Sequence, residues 1–406
     1  MKRILVIPDS MWGSDSGNRS AQYLVKILKR KGFDVGVYAE DNSIFYNQKN
    51  LFLENEKIRF FSKRPYSFLD QFYVFNEKAI NEFKDVILDF EPDLVFYFGT
   101  IRNKISIDYL LSINDEIPYV YLPLTNEFWC LKDFAGLKNG ECYKCMNQNF
   151  AHALINKCLE TNNPVPYLKG SVERILSKKR FINSKRVYGY SKSQLETFNK
   201  FGLPEEKASL TKIFFDPQTL NGIHSEKGDF FLISGQISDA KGWHLVPKLL
   251  QLTSHTKIKF KFLIFRKKVA KNFINKNKLQ YFIDSGKLEV ISELESHNEV
   301  LNLVSKCLAV IVPSNYPSTG EFALLEAMGL KKPVVAFNLG SHKDFLIDNQ
   351  NSLVSSALDV NKMAKDLVNL HANSDLWKKL SSNARTTFEE ITDFENDYSL
   401  IKSLNI

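Results

Sequence analysis

Long apolar runs are what this chain lacks first, for no stretch is long enough to cross a bilayer as a helix. The apolar run Ile4 to Ile7 behind Met1-Lys2-Arg3 is also too short for a secretory leader, so the expected location is the cytoplasm, with peripheral contact to a membrane as the alternative. Cysteine is scarce, five in 406 residues, and thiols of a cytoplasmic chain are not expected to form structural disulfides. Internal repeats and low-complexity tracts are missing as well. Charge imbalance is small: a formal +8 is modest for this length, suits phosphate-bearing substrates or an anionic membrane surface, and gives no reason to expect a nucleic-acid partner. No pair of carboxylates stands in a glycosidase-like context, which disfavours a hydrolase.

What is present points to a packed α/β protein. At 44% hydrophobic content, 406 residues exceed one ordinary core, and two domains are expected. Short apolar, β-branched runs alternate with helical periodicity: Arg3–Ile7, Asp34–Ala39, Leu94–Phe98, Pro118–Leu122 and Val187–Tyr190 in the first half, Phe230–Ser234, Phe260–Phe265, Leu288–Ile291, Leu308–Val312 and Val334–Phe337 in the second. That alternation predicts doubly wound, mostly parallel sheets. The linker Phe214–Gly228 sets expected boundaries of 1–215 and 216–390, with a terminal helix over 391–406 and a cysteine-rich insertion at about 123–170. The aromatic region Phe60–Phe75 fits either a core or a surface facing an acceptor or a membrane.

Two turns carry the chemistry. Pro313 closes a buried strand, a polar loop follows, and Glu321–Leu330 has helical spacing with Glu326 set among apolar residues, where a carboxylate needs a partner. The helix start at Gly320, Glu321 and Phe322 offers backbone N–H groups to an anion such as a diphosphate. The second turn, Gly235-Gln236-Ile237-Ser238-Asp239-Ala240-Lys241-Gly242, places Lys241 at another helix start. In the first half Gly13 and Gly17 follow the first strand without the dinucleotide spacing, and fit either a close backbone approach to a ligand or plain turn chemistry.

Leu325-Glu326-Ala327-Met328, Pro333-Val334-Val335, Lys241-Gly242 and the phrase from Tyr190-Ser191 to Gly202-Leu203-Pro204-Glu205-Glu206-Lys207 together resemble the retaining GT-B glycosyltransferases of family 4, the glycosyl transferases group 1. The resemblance implies a GT-B fold: an acceptor-binding Rossmann-like domain, a donor-binding Rossmann-like domain across a cleft, and a last helix crossing back to the first. It implies transfer of a sugar, with retention, from a UDP- or GDP-sugar to a glycan or lipid-linked acceptor. Glu326 would take the donor ribose hydroxyls, Lys241 the diphosphate, and the loop Ser292–Leu294 the base. Three positions depart from the family. Ser318 stands where a first glutamate is expected, with Glu321 three positions later; Gln236 replaces a phosphate-clamping arginine; and Asn126-Glu127 lies where the family often has His-Asp. Asparagine cannot act as a general base, although Asn126 could bond a sugar hydroxyl. The expected catalytic residues are therefore Lys241, Glu321 and Asn126. The expected donor-binding residues are Gly17, Gly235, Gln236, Lys241, Ser318, Gly320, Glu321, Phe322 and Glu326. A protein that binds the donor without turnover, or a sugar-nucleotide epimerase, is the alternative.

Cys130, Cys142, Cys145 and Cys158 cluster, while Cys307 stands far off. Cys142-Tyr143-Lys144-Cys145 has the gap of a metal knuckle, so a structural zinc is expected, with an iron–sulfur cluster, His152 in place of one thiol, or four separately buried thiols as the alternatives.

Overall fold

A computed structural model describes residues 2–8, 11, 16–40, 58–63, 77–98, 117–126, 128–137, 140–184, 186–294 and 296–393. They form two compact units, the first from Met1–Ala135 and Tyr143–Asp216, the second from Gly136–Cys142 and Pro217–Thr392.

In chain order the strands of the first unit are β1 (Arg3–Ile7), β2 (Asp34–Glu40), β3 (Arg59–Lys63), β4 (Leu94–Tyr97) and β5 (Tyr119–Tyr121). After the antiparallel hairpin β6 (Gly136–Leu137) and β7 (Gly140–Glu141), which is part of the second unit, come β8 (Val187–Gly189) and β9 (Ala208–Leu210). The sheet runs β3-β2-β1-β4-β5-β8-β9, every neighbour parallel. Ile4–Ile7 and Leu94–Tyr97 are buried without alternation, as parallel strands with both faces covered must be. Helix Lys192–Phe201 follows its sequence signals at both ends: the Ser191 hydroxyl accepts the Gln194 N–H, and Gly202 closes the helix in the left-handed region.

The second unit has β10 (Phe230–Ser234), β11 (Lys259–Leu263), β12 (Leu288–Ile291), β13 (Ala309–Val312), β14 (Val334–Phe337) and β15 (Leu353–Ser355). All are parallel, in the order β12-β11-β10-β13-β14-β15. The direction of winding reverses between β10 and β13, so the loops after those two strands diverge and leave a crevice at their carboxyl ends. Trp243 anchors the first of these loops, buried edge-on against Phe262 and Phe273.

The cysteine-rich segment has apolar order of its own: Phe128 and Trp129 are buried, Phe128 stacks on Phe181 at 4.6 Å, and the segment leads into a twenty-residue helix, Pro164–Asn183. Phe60–Lys63 lie in β3, with Phe61 edge-on to Phe90, and 64–75 lie outside the described residues. So does the return helix expected at 391–406, beyond Asp393.

Candidate functional site

The crevice of the second unit is built by two loops that bind each other. Gly242, with φ +71°, lies so close to the end of β13 that a β-carbon there would sit 1.8 Å from the Pro313 carbonyl oxygen; only glycine fits. In return the Asn315 N–H donates to the Ala240 carbonyl at 2.9 Å, and its side-chain amide nitrogen, turned inward, donates to the carbonyls of Asp239 and Ala240. At the mouth Gly235 has φ +127° and, among the described residues, only its own chain neighbours come within 4 Å of where a side chain would begin. Space for a ligand therefore lies directly over the end of β10.

Lys241 points from the first loop into the second. Its Nζ donates to Glu321 Oε2 at 2.7 Å and to the Tyr316 hydroxyl at 3.0 Å. The Ser314 hydroxyl donates to the same carboxylate oxygen at 3.0 Å. The other oxygen, Oε1, faces His342 Nε2 at 3.6 Å, and His342 Nδ1 lies 3.0 Å from the Phe337 carbonyl. Burial alone would lower the Lys241 pKa, but the Glu321 carboxylate and Tyr316 more than reverse it, so the ammonium is held above the ordinary lysine value. Burial likewise opposes ionisation of Glu321, and above all Lys241, with the Ser314 hydroxyl, reverses that, leaving a carboxylate below its usual range. For His342 burial wins and its pKa is lowered, in spite of Glu321.

Glu326 is 4% exposed on helix Phe322–Gly329, and its partner is His297, whose Nε2 lies 3.1 Å from Oε1. His297 opens the helix that follows β12, so this pair joins the second loop to the strand end next to Ser292–Leu294. Ser318 is buried, its hydroxyl 3.2 Å from that of Ser341 and its carbonyl accepting the Ser341 N–H. Phe322 is buried at the helix start, Gly320 is half-buried beside it, and Gln236 is exposed at the crevice mouth. The hairpin β6–β7 supports the same loops, with Glu141 accepting from the Gly340 N–H at 2.9 Å and from Lys343 at 3.0 Å.

The structure thus brings Gly235, Gln236, Lys241, Ser318, Gly320, Glu321, Phe322 and Glu326 into one unit. Gly17 and Asn126 belong to the other: Gly17 lies in the first turn of helix Ser16–Arg30, and buried Asn126 heads a turn whose carbonyl accepts from Trp129 and Cys130. Glu127 and Gly13 lie outside the described residues. Sequence reasoning missed Ser314, Tyr316, His297, His342 and Glu141. A polar residue beside a buried strand end was the available signal for Ser314; the others are joined to the site only by the fold.

The four-thiolate expectation is also corrected. Among the described residues no three histidine, cysteine, aspartate or glutamate side chains gather where they could hold a metal ion, and none of the five cysteines is in a disulfide. Cys145 is part of the apolar core of the first unit, with Cys130 and Cys158 packed against it. Burial pushes the Cys130 thiol up to about 12. Arg174 takes the organising role, donating to Asp133 at 2.9 Å and to the Cys130 carbonyl at 3.3 Å.

Residues 221–387 match the family described as Glycosyl transferases group 1. An uncharacterized glycosyltransferase of Methanocaldococcus jannaschii is 29% identical over 173 residues, 41% of this chain and 46% of that protein, so the match spans less than half the length of that curated relative. Over its whole length the chain is similar to Anabaena HepE, solved in complex with UDP-glucose, at 14% identity and a TM-score of 0.70, covering 100% of both chains. It is similar too to a glycosyltransferase from Rickettsia africae ESF-5, at 15% identity and a TM-score of 0.69, covering 99% of this chain and 98% of that one. The fold is GT-B: two parallel-sheet α/β units.

Proposed function

We propose that the chain is a glycosyltransferase that moves a sugar from a nucleoside diphosphate donor to an acceptor hydroxyl, with retention of anomeric configuration. The observation that carries this reading is Lys241, a buried-end ammonium held 2.7 Å from Glu321 at the crevice between β10 and β13, beside the open backbone of Gly235. A diphosphate seated there meets Lys241 and the N-terminal N–H groups of helix Phe322–Gly329, so the negative charge that grows as the sugar departs is opposed by groups already in place. That set supplies leaving-group stabilisation from the protein alone, and we propose a metal-independent reaction. Glu326, oriented by His297, receives the ribose hydroxyls, and Glu321 lies near the donor sugar.

In the transfer the bond between the anomeric carbon and the diphosphate oxygen breaks, a bond from the acceptor oxygen forms on the same face, and the acceptor proton passes to the departing phosphate. The first unit, with Asn126, is the acceptor side, taking a glycan or a lipid-linked saccharide. The UDP-glucose bound by Anabaena HepE makes UDP-sugars the first donors to try.

One observation favours a second reading, a donor-binding protein with little turnover: Gln236 leaves the crevice mouth without a fixed cation at that position. A panel of UDP- and GDP-sugars, read by release of free nucleoside diphosphate alongside nucleotide binding, separates the two. Release that depends on Lys241 supports transfer. Binding without release supports the second reading, and absence of binding to any nucleotide overturns both.

A further inference from the structure

Helix Pro164–Asn183 carries more apolar surface than the core of its unit uses. Its inner face, Tyr167, Arg174 and Phe181, is buried, and Gly170 lets Leu131 pack close. On the far side Val165, Leu168, Val172 and Ile175 are 58%, 70%, 46% and 48% exposed. Steps of three and four residues line these up in a stripe roughly 80° wide, at about 100° per residue. The short helix Ala151–Ile155 packs beside it and adds Leu154 and Ile155, 44% and 74% exposed.

Charge says what this face fits. Beyond the inward-facing Arg174 and its partner Glu173, the sequence of residues 142–186 holds eight lysines and arginines against one glutamate, a net +7 in a chain whose formal total is +8. Glu173 is paired with Arg174 at 3.2 Å. We propose that the face formed by helices Ala151–Ile155 and Pro164–Asn183 docks on an anionic lipid bilayer, with the aliphatic stripe at the headgroup boundary and the basic side chains on lipid phosphates. A heptad-like stripe would also suit a second copy of the chain, but that pairing sets two strongly cationic faces against each other. The purpose, access to a lipid-linked acceptor, rests on the proposed function; the binding does not.

The test is sedimentation of the full chain with vesicles of phosphatidylcholine alone, or with about a third phosphatidylglycerol, at low and high salt. Binding is expected only to the anionic vesicles and should be lost at high salt. Lys157→Gln and Lys169→Gln should each weaken partitioning by about fivefold. Leu168→Ser and Ile155→Ser should weaken it too, with thermal stability and nucleotide binding unchanged because both side chains face solvent. The same protein left in the supernatant with both vesicle types overturns the proposal. So does a dimer in solution that Leu168→Ser converts to monomer with no change on vesicles. Loss of nucleotide binding in the wild-type chain would instead count against the donor site and leave the vesicle result standing.

Discussion

Glu321 and His342 face each other across 3.6 Å, carboxylate Oε1 against imidazole Nε2, both buried and both atoms without a hydrogen bond among the described residues. A ring nitrogen 3.0 Å from the Phe337 carbonyl must donate, so the proton of neutral His342 sits on Nδ1 and the Nε2 lone pair meets the carboxylate. Two acceptors held together are tolerated because Lys241, Ser314 and the fold fix Glu321 from its other side. The arrangement ties the folded state to a neutral His342.

Burial lowers the His342 pKa, with Lys241 adding to that and Glu321 and the Phe337 carbonyl opposing it. Below about pH 6.5 the unfolded chain binds a proton here that the folded chain refuses, so stability is full above that pH and falls as pH drops through it toward the folded value. The loss is at most about 1.4 kcal/mol per pH unit. Glu321, lowered in its turn, contributes stability above the ordinary carboxylate range that is lost only in stronger acid. The urea midpoint is expected to be lower at mildly acidic than at neutral pH, and His342→Asn, which keeps the donor to Phe337, should flatten that difference. An unchanged slope in the variant would assign it to other histidines.

Breaking the Lys241–Glu321 pair has two separable effects. Lys241→Ala leaves a buried carboxylate unopposed, a loss of about 3 kcal/mol in stability, whereas Lys241→Ala with Glu321→Gln removes the charge and should recover most of it. Turnover should not recover: without the ammonium, kcat is expected to fall by about a hundredfold or more with a smaller change in KM. Thermal melts and steady-state kinetics on the single and double variants check both. Recovery of turnover in the double variant would mean that Lys241 matters only for holding Glu321.

Glu326 is expected to lose donor affinity when neutralised. Glu326→Gln should raise the Kd for UDP by about tenfold or more, the worth of charge-assisted hydrogen bonds to two hydroxyls. His297→Ala, which only unfixes the carboxylate, should raise it less. Calorimetric titration with UDP, and with a 2′,3′-dideoxy analogue, gives the comparison. If the analogue discriminates equally against wild type and Glu326→Gln, the ribose contact is elsewhere.

Much of the fold was legible because its signals are local. The strands Phe230–Ser234, Ala309–Val312 and Val334–Phe337 of the second unit are short apolar runs whose ends are marked by glycine, proline or charge. Ser191 and Gly202 likewise mark both ends of one helix. Less could be read where long-range pairing decides. β15, only three residues long, exists because Leu353–Ser355 pairs with β14. Glu326 advertised its need for a partner, but nothing near it in the chain names His297, and His342 acquires its role only because the loop after β14 folds back on Ser318 and Glu321. The cysteine segment misled for a physical reason: cysteines spaced like a metal knuckle are also small apolar residues, and here Phe128, Trp129 and Phe181 supply the core that an ion was expected to replace.

Gly242 tests whether the crevice depends on backbone contact. A β-carbon there would lie 1.8 Å from the Pro313 oxygen, and φ +71° is itself unfavourable for alanine. Gly242→Ala should destabilise the protein by more than about 2 kcal/mol and weaken nucleotide binding, because the two loops must move apart. Gly235→Ala faces the same type of φ but open space, so its cost should be nearer 1 kcal/mol, about the strain alone, while donor affinity falls if a ligand passes over that backbone. Equal stability of the two variants would contradict the packing described for Gly242.

Gln236 allows the converse experiment, adding a charge where the crevice has room for one. The side chain is exposed at the end of β10, beside the open face of Gly235, so Gln236→Arg disturbs no packing and leaves stability within about 0.5 kcal/mol. A guanidinium there can fork onto two phosphate oxygens, which a glutamine amide cannot do with charge. Lys241 is already engaged by Glu321 and Tyr316, so a second cation meets the diphosphate without competing for the same carboxylate. The expected result is tighter binding of the nucleoside diphosphate, by about tenfold at low salt and less at high salt, with kcat preserved or raised. If tighter product binding makes release limiting, kcat will fall while the chemical step in a single turnover holds or rises, and the two measurements together still assign the added charge to the diphosphate. A folded variant with unchanged nucleotide affinity and slower single-turnover chemistry would mean that the diphosphate does not lie over the end of β10.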